Sequence, residues 1–448
     1  MGPQSMKVAY ILLYFPKLTE TFVAEEIDAI RSRNIDVCIV SLLRPKPGLV
    51  QPLSRKLLKY ALYAPGVFTW ATWKAHLYFM IKSARLYFSL LVTLLRQPYP
   101  KHRLDLFLKR IVIFSKTVPI ANILENNEIR LIHSHFGWLS GAAAFVCARL
   151  LNVPFTVTMH AYDIYDKNDL VPLLCREAGG VITISEFNRM HVAALGACLA
   201  SSISVIHCGV DVCKFGELTG RALKETASGP LKILSVGSLV GMKGHRHLIT
   251  ACHLLRGKAP DFVCTIIGDG PEESALRQQI GAYGLDGQVK LLGARTSPEV
   301  MAAYQQHDLF VLACTVTGEG RRDGIPVVLM EAGVAGLPLI STQVSGVPEL
   351  VRHGETGLLV PPDNPAALAD AIALLAANPA LRARLGRNAR ALVEAQFNLE
   401  TSALQLAAFW QKKCQQKDPD HVSQKKSSIC NGQRDDRDFT EDPWHTRA

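Results

Sequence analysis

Two acidic residues separated by a turn-forming tripeptide are the strongest candidates for chemistry in this sequence. Asp323 precedes Glu331 by seven intervening residues, and Gly324-Ile325-Pro326 follows Asp323 directly. The N–H groups of Gly324, Ile325 and the helix start after Pro326 can hold a diphosphate, because a helix N-terminus presents free N–H groups and partial positive charge. Glu331, a turn and a half into that helix, can accept both hydroxyls of a ribose with its two carboxylate oxygens. The spacing alone fits a capping acid and an exposed helix glutamate equally well.

Two loops with glycines follow predicted strands of the second half of the chain. In the first, GSLVGMKG, Lys243 is placed as a point charge for a phosphate ahead of a helix. In the second, Gly268 and Gly270 let a ligand approach the backbone closely. The simpler alternatives are a surface lysine at a helix start and a plain tight turn.

His160 follows a predicted strand at 155–159. A side chain just beyond a parallel strand lies in the crevice where such sheets bind ligands. A structural histidine with satisfied hydrogen bonds is the alternative.

Short apolar segments that alternate with helical patterns must position these residues. The predicted strands are 7–15, 35–42, 131–134, 155–159, 180–184 and 205–207 in the first half, and 232–236, 262–267, 289–292, 309–312, 338–341 and 357–360 in the second. The predicted helices include 19–32, 271–283, 326–333, 366–375 and 381–410. Continuous apolar strands between helices indicate a parallel sheet covered on both faces. The predicted fold class is α/β, with two Rossmann-like doubly wound domains facing each other across a ligand-binding cleft.

The predicted domain organisation has five parts. They are a first domain at 1–214, a polar linker at 215–230, a second domain with the candidate phosphate-binding loops at 231–395, a helix at 396–414 that returns to the first domain, and a tail at 415–448. The linker carries two glycines and a proline, and the tail is polar with few aliphatic residues, which predicts disorder there.

Composition and missing motifs exclude several classes of protein. The 448 residues are 48% hydrophobic and 20% charged, which excludes a disordered or fibrous chain. Eleven cysteines without a C-x-x-C pair predict neither a disulfide framework nor a zinc site, and a reducing cytoplasm fits best. The P-loop and the zinc-protease, esterase and dinucleotide motifs are missing. There is no uninterrupted apolar run of spanning length and no secretory signal, so no membrane span is expected.

The positive charge of the chain is concentrated in one segment, 55–116. It contains twelve Lys or Arg and one acid, which gives it a charge of +11. The rest of the chain sums to −1, so the whole chain carries +10. Aromatic and long aliphatic residues are interspersed with these bases, which predicts helices lying in an anionic lipid surface. A solvated basic face over ordinary core helices is the alternative. Nucleic acid is not a predicted partner, because no recognised binding module accompanies the charge.

Several short motifs occur together in a fixed order. They are FPKLTETF at 15–22, HSHF at 133–136, HAYD at 160–163, SEFNR at 185–189, HCGVD at 207–211, KG at 243–244, GDGP at 268–271, the acidic pair at 323 and 331, and GLLVP at 357–361. In order and spacing these motifs resemble family 4 glycosyltransferases of the GT-B fold, of the exopolysaccharide and colanic-acid biosynthesis type. The resemblance runs from Met6 to about Lys413.

The resemblance implies a role for each matching residue. Lys243 would contact the diphosphate of a nucleotide-sugar donor, and Glu331 the ribose. Asp323 occupies the place of a glutamate near the hydroxyls of the sugar, and His160 that of a histidine that binds the sugar across the cleft. Arg295 would lie near the base. No cofactor and no metal is implied, and the donor is a UDP- or GDP-linked sugar.

The sequence departs from the family pattern at two positions. Asp323 is one methylene shorter than the usual glutamate, and Ser238 stands where an arginine is usual, so one diphosphate cation is missing. Arg321 and Arg322 are unusual just before Asp323, and we hypothesise that they replace the arginine that is missing at position 238.

The predicted function is that of a retaining, metal-independent hexosyltransferase. It would move a sugar to a glycan or lipid-linked acceptor in polysaccharide biosynthesis, bound peripherally to the anionic inner face of the cytoplasmic membrane. The alternative is a non-catalytic nucleotide-sugar-binding subunit of a glycan assembly complex, in which the changes at Ser238 and Asp323 mark lost activity. A 2-epimerase of the same fold is disfavoured, because the motif set is that of the transferases.

Overall fold

Two parallel β-sheets organise the protein. The computed structural model describes residues 6–17, 20–45, 50–97, 104–165, 170–215, 229–258 and 261–417. Most of the predicted linker (216–228) and the predicted tail from 418 onward lie outside these residues. The predicted α/β class with two doubly wound domains is confirmed.

The first sheet has seven strands in the order β3-β2-β1-β4-β5-β6-β7. The strands are β1 Lys7–Tyr14, β2 Asp36–Leu43, β3 Ala61–Tyr63, β4 Leu131–His135, β5 Phe155–Met159, β6 Gly180–Thr183 and β7 Ile203–Val205. The helices of this half are α1 Thr21–Arg31, α2 Pro52–Leu57, α3 Trp70–Leu95, α4 Leu104–Glu125, α5 Leu139–Leu151, α6 Ala161–Tyr165, α7 Val171–Glu177 and α8 Glu186–Ala194. The strand order reverses between β1 and β4, which is where a doubly wound sheet opens a crevice for ligands.

The second sheet has six strands in the order β10-β9-β8-β11-β12-β13. The strands are β8 Leu231–Val236, β9 Phe262–Ile267, β10 Val289–Leu291, β11 Leu309–Leu312, β12 Leu339–Thr342 and β13 Gly357–Val360. The helices are α9 His245–Leu254, α10 Glu273–Ala282, α11 Ser297–Gln306, α12 Val327–Val334, α13 Val347–Leu350, α14 Pro365–Ala377, α15 Pro379–Gln396 and α16 Leu399–Lys417. Here the order reverses between β8 and β11, whose loops carry Lys243 and Asp323.

The central strands are buried on both faces, which is why their sequences are continuous apolar runs. Four predicted strands match the structure at both ends, namely 155–159, 262–267, 309–312 and 357–360. The last strand of the first half was predicted two residues too late. The chain has already left the sheet at His207, whose Nδ1 lies 2.9 Å from the carbonyl oxygen of Ile184.

Two further elements differ from the prediction. The edge strand β3 lies inside the basic segment, where three residues gave no periodic signal. The helix predicted at 381–410 is two helices, broken where Val210 and Asn398 pair as an isolated bridge. The second of them, α16, packs on the first sheet: the Trp410 ring is fully buried 5.7 Å from that of Tyr10.

Helices α3 and α4 pack together and form the outer part of the basic segment. By length and composition α3 is apolar enough to cross a membrane, whereas the sequence analysis expected no membrane span. Of its most apolar window, 22% is buried. Ser83 interrupts it with non-helical backbone angles (φ −157°, ψ 60°). One side of α3, including Phe79, Leu90 and Leu94, is buried against the protein, which is the arrangement of a helix lying on a domain rather than standing alone in lipid.

Candidate active site

A cavity of about 1010 Å³ lies between the two sheets, at the carboxyl ends of their strands. Its walls come from both halves of the chain: the loops after β1, β4 and β5 on one side, and those after β8 and β11 with the start of α12 on the other. Eight of the ten predicted site residues line it, namely His160, Lys243, Arg295, Asp323, Gly324, Ile325, Pro326 and Glu331.

Gly268 and Gly270 are not among the residues that line this cavity. They pack on the loop after β8 instead. A Cβ added to Gly268 would lie 1.9 Å from the carbonyl oxygen of Gly237, and one added to Gly270 would lie 2.6 Å from that of Leu239. These glycines therefore allow two loops to touch, and the loop that they support carries the cavity residue Ser238.

Lys243 and Asp323 form an ion pair inside the cavity. Gly244 follows the lysine in a left-handed conformation with φ 65°. It also packs against the end of β11, because a Cβ there would lie 1.8 Å from the carbonyl oxygen of Ala313. The Lys243 Nζ lies 2.9 Å from the Asp323 Oδ2. Burial acts to lower the pKa of Lys243, but the charge and hydrogen bond of Asp323 together with the nearby Cys314 outweigh it, and the pKa is raised. Lys243 is thus a fixed positive charge, and a diphosphate entering the site competes with Asp323 for it.

Glu331 lies deeper along the same wall, on α12. The hydroxyl of the buried Tyr304 donates a hydrogen bond of 2.8 Å to its Oε2. Burial raises the pKa of Glu331 to about 7, and the negative charge of Glu25 on α1 adds to the effect, while Lys214 opposes it. Its carboxylate therefore changes charge close to neutral pH.

The backbone between Asp323 and α12 offers hydrogen-bond donors. Among the described residues, the N–H groups of Gly324 and Ile325 have no hydrogen-bond acceptor. They face the cavity at the start of α12, where the helix dipole favours an anion. A Cβ at Gly324 would lie 3.0 Å from the Ile184 side chain, so the glycine also allows the two halves to approach.

His160 enters the cavity from the first half, directly after β5. Its backbone N–H donates to the buried carboxylate of Asp163 at 2.8 Å, which holds the turn into α6. The imidazole lies between the rings of Phe22 and Phe136, at 5.1 and 4.7 Å. Burial lowers its pKa well below the usual range, and the neighbouring His135 adds to this, so His160 is neutral at physiological pH.

Three arginines complete the wall of the second half. The guanidinium of Arg322 stacks on the ring of Tyr165 at 4.4 Å, and its buried Nε has no hydrogen-bond partner among the described residues. Arg321 pairs with the exposed Glu319 at 3.2 Å. Arg295 lies at the rim and donates to the carbonyl oxygen of its own neighbour.

A contact between the two halves was missed by sequence reasoning. The carboxylate of Glu349 accepts hydrogen bonds from the N–H groups of Glu186 and Phe187, at 3.1 and 3.0 Å, and so caps α8 from across the cleft. A Cβ at Gly346 would lie 2.9 Å from that of Ser185. A carboxylate that caps a helix of the other domain has no local signature in the sequence.

Two α/β domains that enclose a cavity between the ends of their parallel strands have the architecture of the GT-B fold, which is a fold of glycosyltransferases. Residues 19–214 match the family model described as Glycosyltransferase Family 4, and residues 221–392 match that of Glycosyl transferases group 1. The chain belongs to the family 4 glycosyltransferases.

Full-length relatives and solved structures agree with this assignment. The putative colanic acid biosynthesis glycosyltransferase WcaL of Salmonella typhimurium is 30% identical over 91% of this chain and 100% of its own length. The amylovoran biosynthesis glycosyltransferase AmsK of Erwinia amylovora is 30% identical over 90% of this chain and 98% of its own. Anabaena Alr3699/HepE, solved in complex with UDP, superposes with a TM-score of 0.65 at 18% identity, covering 91% of this chain and 100% of HepE.

Proposed function

We propose that the protein is a retaining hexosyltransferase that moves a sugar from a UDP- or GDP-linked donor to a glycan or lipid-linked acceptor. The observation that carries the proposal is the wall made by Lys243, the free N–H groups before α12 and Glu331, which lies opposite His160 in one cavity. A volume near 1010 Å³ suits a ligand as large as a nucleotide sugar together with part of an acceptor.

The geometry supports a division of labour within this wall. As the bond to the sugar breaks, the nucleoside diphosphate gains negative charge, which Lys243 and the N–H groups of Gly324 and Ile325 stabilise. Glu331 accepts the ribose hydroxyls, and Asp323, once released from Lys243, accepts hydroxyls of the sugar. His160 meets the sugar from the other domain. Lys243 and the backbone donors supply the positive charge without a metal, and the family resemblance supports retention.

The relatives support the donor and the pathway class. HepE is solved in complex with UDP and with UDP-glucose, and WcaL and AmsK are named for the biosynthesis of colanic acid and amylovoran. We extend both to this chain, as a nucleotide-sugar donor and a role in exopolysaccharide biosynthesis.

Thermal shift with nucleotides tests the proposed function. UDP, GDP, ADP and their sugar conjugates are screened against the wild type and Glu331→Ala. A ligand at a hundred times its Kd adds about 2.7 kcal/mol to the free energy of unfolding, which is a visible shift. We expect one nucleotide to stabilise the wild type and not the variant. Binding without turnover on any acceptor would instead favour the non-catalytic subunit, and no shift with any nucleotide would contradict the proposal.

Loss of the two unusual arginines is expected to weaken donor binding. Both line the cavity, and the buried Nε of Arg322 has no hydrogen-bond partner among the described residues. Because hydrogen bonds to charged groups contribute roughly 1.5–3 kcal/mol, Arg321→Ala/Arg322→Ala should raise the donor KM about tenfold or more. Steady-state kinetics at varied donor concentration measure it, with Arg384→Ala/Arg387→Ala on exposed α15 as the matched control. An unchanged KM would show that these arginines do not replace the cation missing at Ser238.

The outer face of α3 and α4 supports peripheral binding to anionic lipid at the inner face of the cytoplasmic membrane. Large apolar side chains are exposed there, including Trp70, Trp73 and Ile81, among bases such as Lys74 and Arg85. A soluble domain rarely exposes so many neighbouring apolar side chains. Aromatic residues with bases suit the interface between headgroups and acyl chains. The occupant of this face in our proposal is a lipid surface.

Vesicle flotation tests whether the bases of this surface, and not bases elsewhere on the protein, bind anionic lipid. The wild type should float with vesicles that contain anionic lipid at low salt and be released at high salt. Each base near such a surface contributes about 1 kcal/mol, so replacing the exposed bases Lys74, Arg85 and Arg96, which lie on α3 or at its end, by serine should weaken partitioning roughly a hundredfold. The same change at exposed Lys290, Arg384 and Arg387 should have little effect. Retention at high salt would contradict a peripheral mode and favour insertion of α3.

A further inference from the structure

A chain of buried hydrogen bonds leads from the interior of the first sheet to the cavity. The hydroxyl of Tyr10 on β1 donates to the Oε1 of Glu26 on α1 at 2.9 Å. The Nε2 of His135, the last residue of β4, lies 2.8 Å from the same oxygen. The Nδ1 of His135 lies 3.0 Å from the Nε2 of His160, whose ring lines the cavity.

The Glu26 carboxylate in this chain is ionised. Burial acts to raise the pKa of Glu26, but the charge and the hydrogen bond of His135 and the hydrogen bond of Tyr10 outweigh it, and the pKa is lowered. Because an ionised carboxylate only accepts hydrogen bonds, the Nε2 of His135 must carry a proton.

The position of each further proton follows from the previous one. When His135 carries this proton alone, its Nδ1 is an acceptor, so the Nε2 of His160 must donate to it. Neutral His160 then carries its proton on Nε2, and its Nδ1 has a free lone pair. Among the described residues no hydrogen bond involves that Nδ1. A histidine set in this way accepts a hydrogen bond and cannot donate one from that nitrogen.

We propose that Glu26 and His135 are positioning residues that hold His160 in the Nε2–H tautomer, so that its Nδ1 accepts a hydrogen bond from a hydroxyl of the carbohydrate in the cleft. This inference rests on the proposed transferase function and adds two residues to it that do not touch substrate. It also gives a reason for pairing the partly buried Glu26 with the fully buried His135, neither of which lines the cavity, since an unpaired buried polar group costs stability.

A metal ion is the competing explanation for this cluster. Glu26, His133 and His135 place possible ligand atoms within 4.8 Å of one another. Both nitrogens of His135 already have hydrogen-bond partners, and the Nδ1 of His133 lies 2.9 Å from the hydroxyl of Thr156. Because both histidines are fully buried, a metal would have to displace these bonds and enter a closed core.

Glu26→Gln tests the positioning role with little loss of volume. The amide of glutamine can accept from His135 or donate to it, so both tautomers of His135, and hence of His160, become satisfied. We expect kcat at saturating donor to fall about tenfold or more, since the correct tautomer is no longer selected. Nucleotide affinity should stay within about twofold of the wild type, because the nucleotide lies on the opposite wall. Asp28→Asn is the matched control: it removes an exposed carboxylate from the same helix α1, leaves the chain of hydrogen bonds to His160 intact, and should change kcat less than about threefold.

Two readouts distinguish this role from a merely structural one. Nitrogen-15 NMR of histidine-labelled protein should show an unprotonated Nδ1 for His160 in the wild type and a tautomer mixture in Glu26→Gln. The acid limb of kcat should move to lower pH in the variant, because loss of the carboxylate charge makes the relay harder to protonate. The other titratable groups packed around the relay are Tyr10, His133, Asp163 and Cys208, which the variant leaves unchanged.

Each outcome decides a separate point. An Nδ1-protonated His160 in the wild type, or wild-type kcat in Glu26→Gln, would overturn the positioning role while the transferase function stands. Loss of activity on chelation and its recovery with zinc would replace the relay by a metal site. Failure of the wild type to bind any nucleotide would reject the proposed function itself, independently of the relay.

Discussion

Replacing Lys243 by alanine is expected to lower kcat about a hundred- to a thousandfold. The lysine is the one side-chain cation that the structure pairs with Asp323 inside the described part of the cavity, and the diphosphate that leaves the sugar gains charge next to it. Removing one preorganised donor from a developing negative charge costs a factor of this size in other enzymes. Steady-state transfer rates at saturating donor measure it, and Lys290→Ala on the exposed edge of β10 is the matched control.

The ion pair makes the effect of Lys243→Ala dependent on Asp323. In the single variant Asp323 keeps its charge beside the incoming diphosphate and repels it, whereas in Lys243→Ala/Asp323→Asn that repulsion is gone. We therefore expect the double variant to bind donor more tightly than Lys243→Ala alone, although its kcat stays low because the sugar contact is also lost. Charges within hydrogen-bond distance couple in this way in double-mutant cycles. Strict additivity of the two changes in donor Kd would contradict competition between Asp323 and the diphosphate.

The sequence predicts the sheets better than the surroundings of the site. Strands such as β5, β9, β11 and β13 are short, mainly apolar runs between helices. A strand in the middle of a parallel sheet buries both of its faces, so such runs predict that position directly. The edge strand β3 and the break between α15 and α16 depend on contacts with distant residues, so no local sequence pattern predicts them. This is the usual consequence of tertiary contacts outweighing local preference.

Within the site, residues with a local pattern were predicted and those defined by a long-range contact were not. Lys243, Asp323 and Glu331 follow strands or open a helix, and the cavity brings them together. The roles of Glu349 and Glu26 come from partners more than a hundred residues away, in Phe187 and His135. Gly268 and Gly270 show the converse, since a glycine loop indicates a close approach without saying whether a ligand or another loop is approached.

Donor affinity is expected to fall as the pH is lowered through 7. Burial raises the pKa of Glu331 to about 7, so most of the carboxylate is ionised at pH 8 and most of it is neutral at pH 6. In the ionised form both oxygens can accept hydrogen bonds from ribose hydroxyls, and one of them also accepts from Tyr304. In the neutral form one oxygen carries a proton and acts as a donor. If the neutral form binds negligibly, the Kd at pH 6 should be about tenfold higher than the plateau at pH 8.

Calorimetry with an intact nucleotide sugar measures this dependence cleanly. A free nucleoside diphosphate ends in a phosphate that itself titrates near pH 6, whereas the diphosphate of a nucleotide sugar has no such group. Glu331→Gln keeps the volume and the bond with Tyr304 but has no charge to lose. We expect its Kd to be about ten- to a hundredfold higher than the wild-type plateau, because a charge-assisted pair of hydrogen bonds is lost, and to be flat between pH 6 and 8. An equal slope in wild type and variant would place the titrating group elsewhere in the cleft and remove Glu331 from the ribose site.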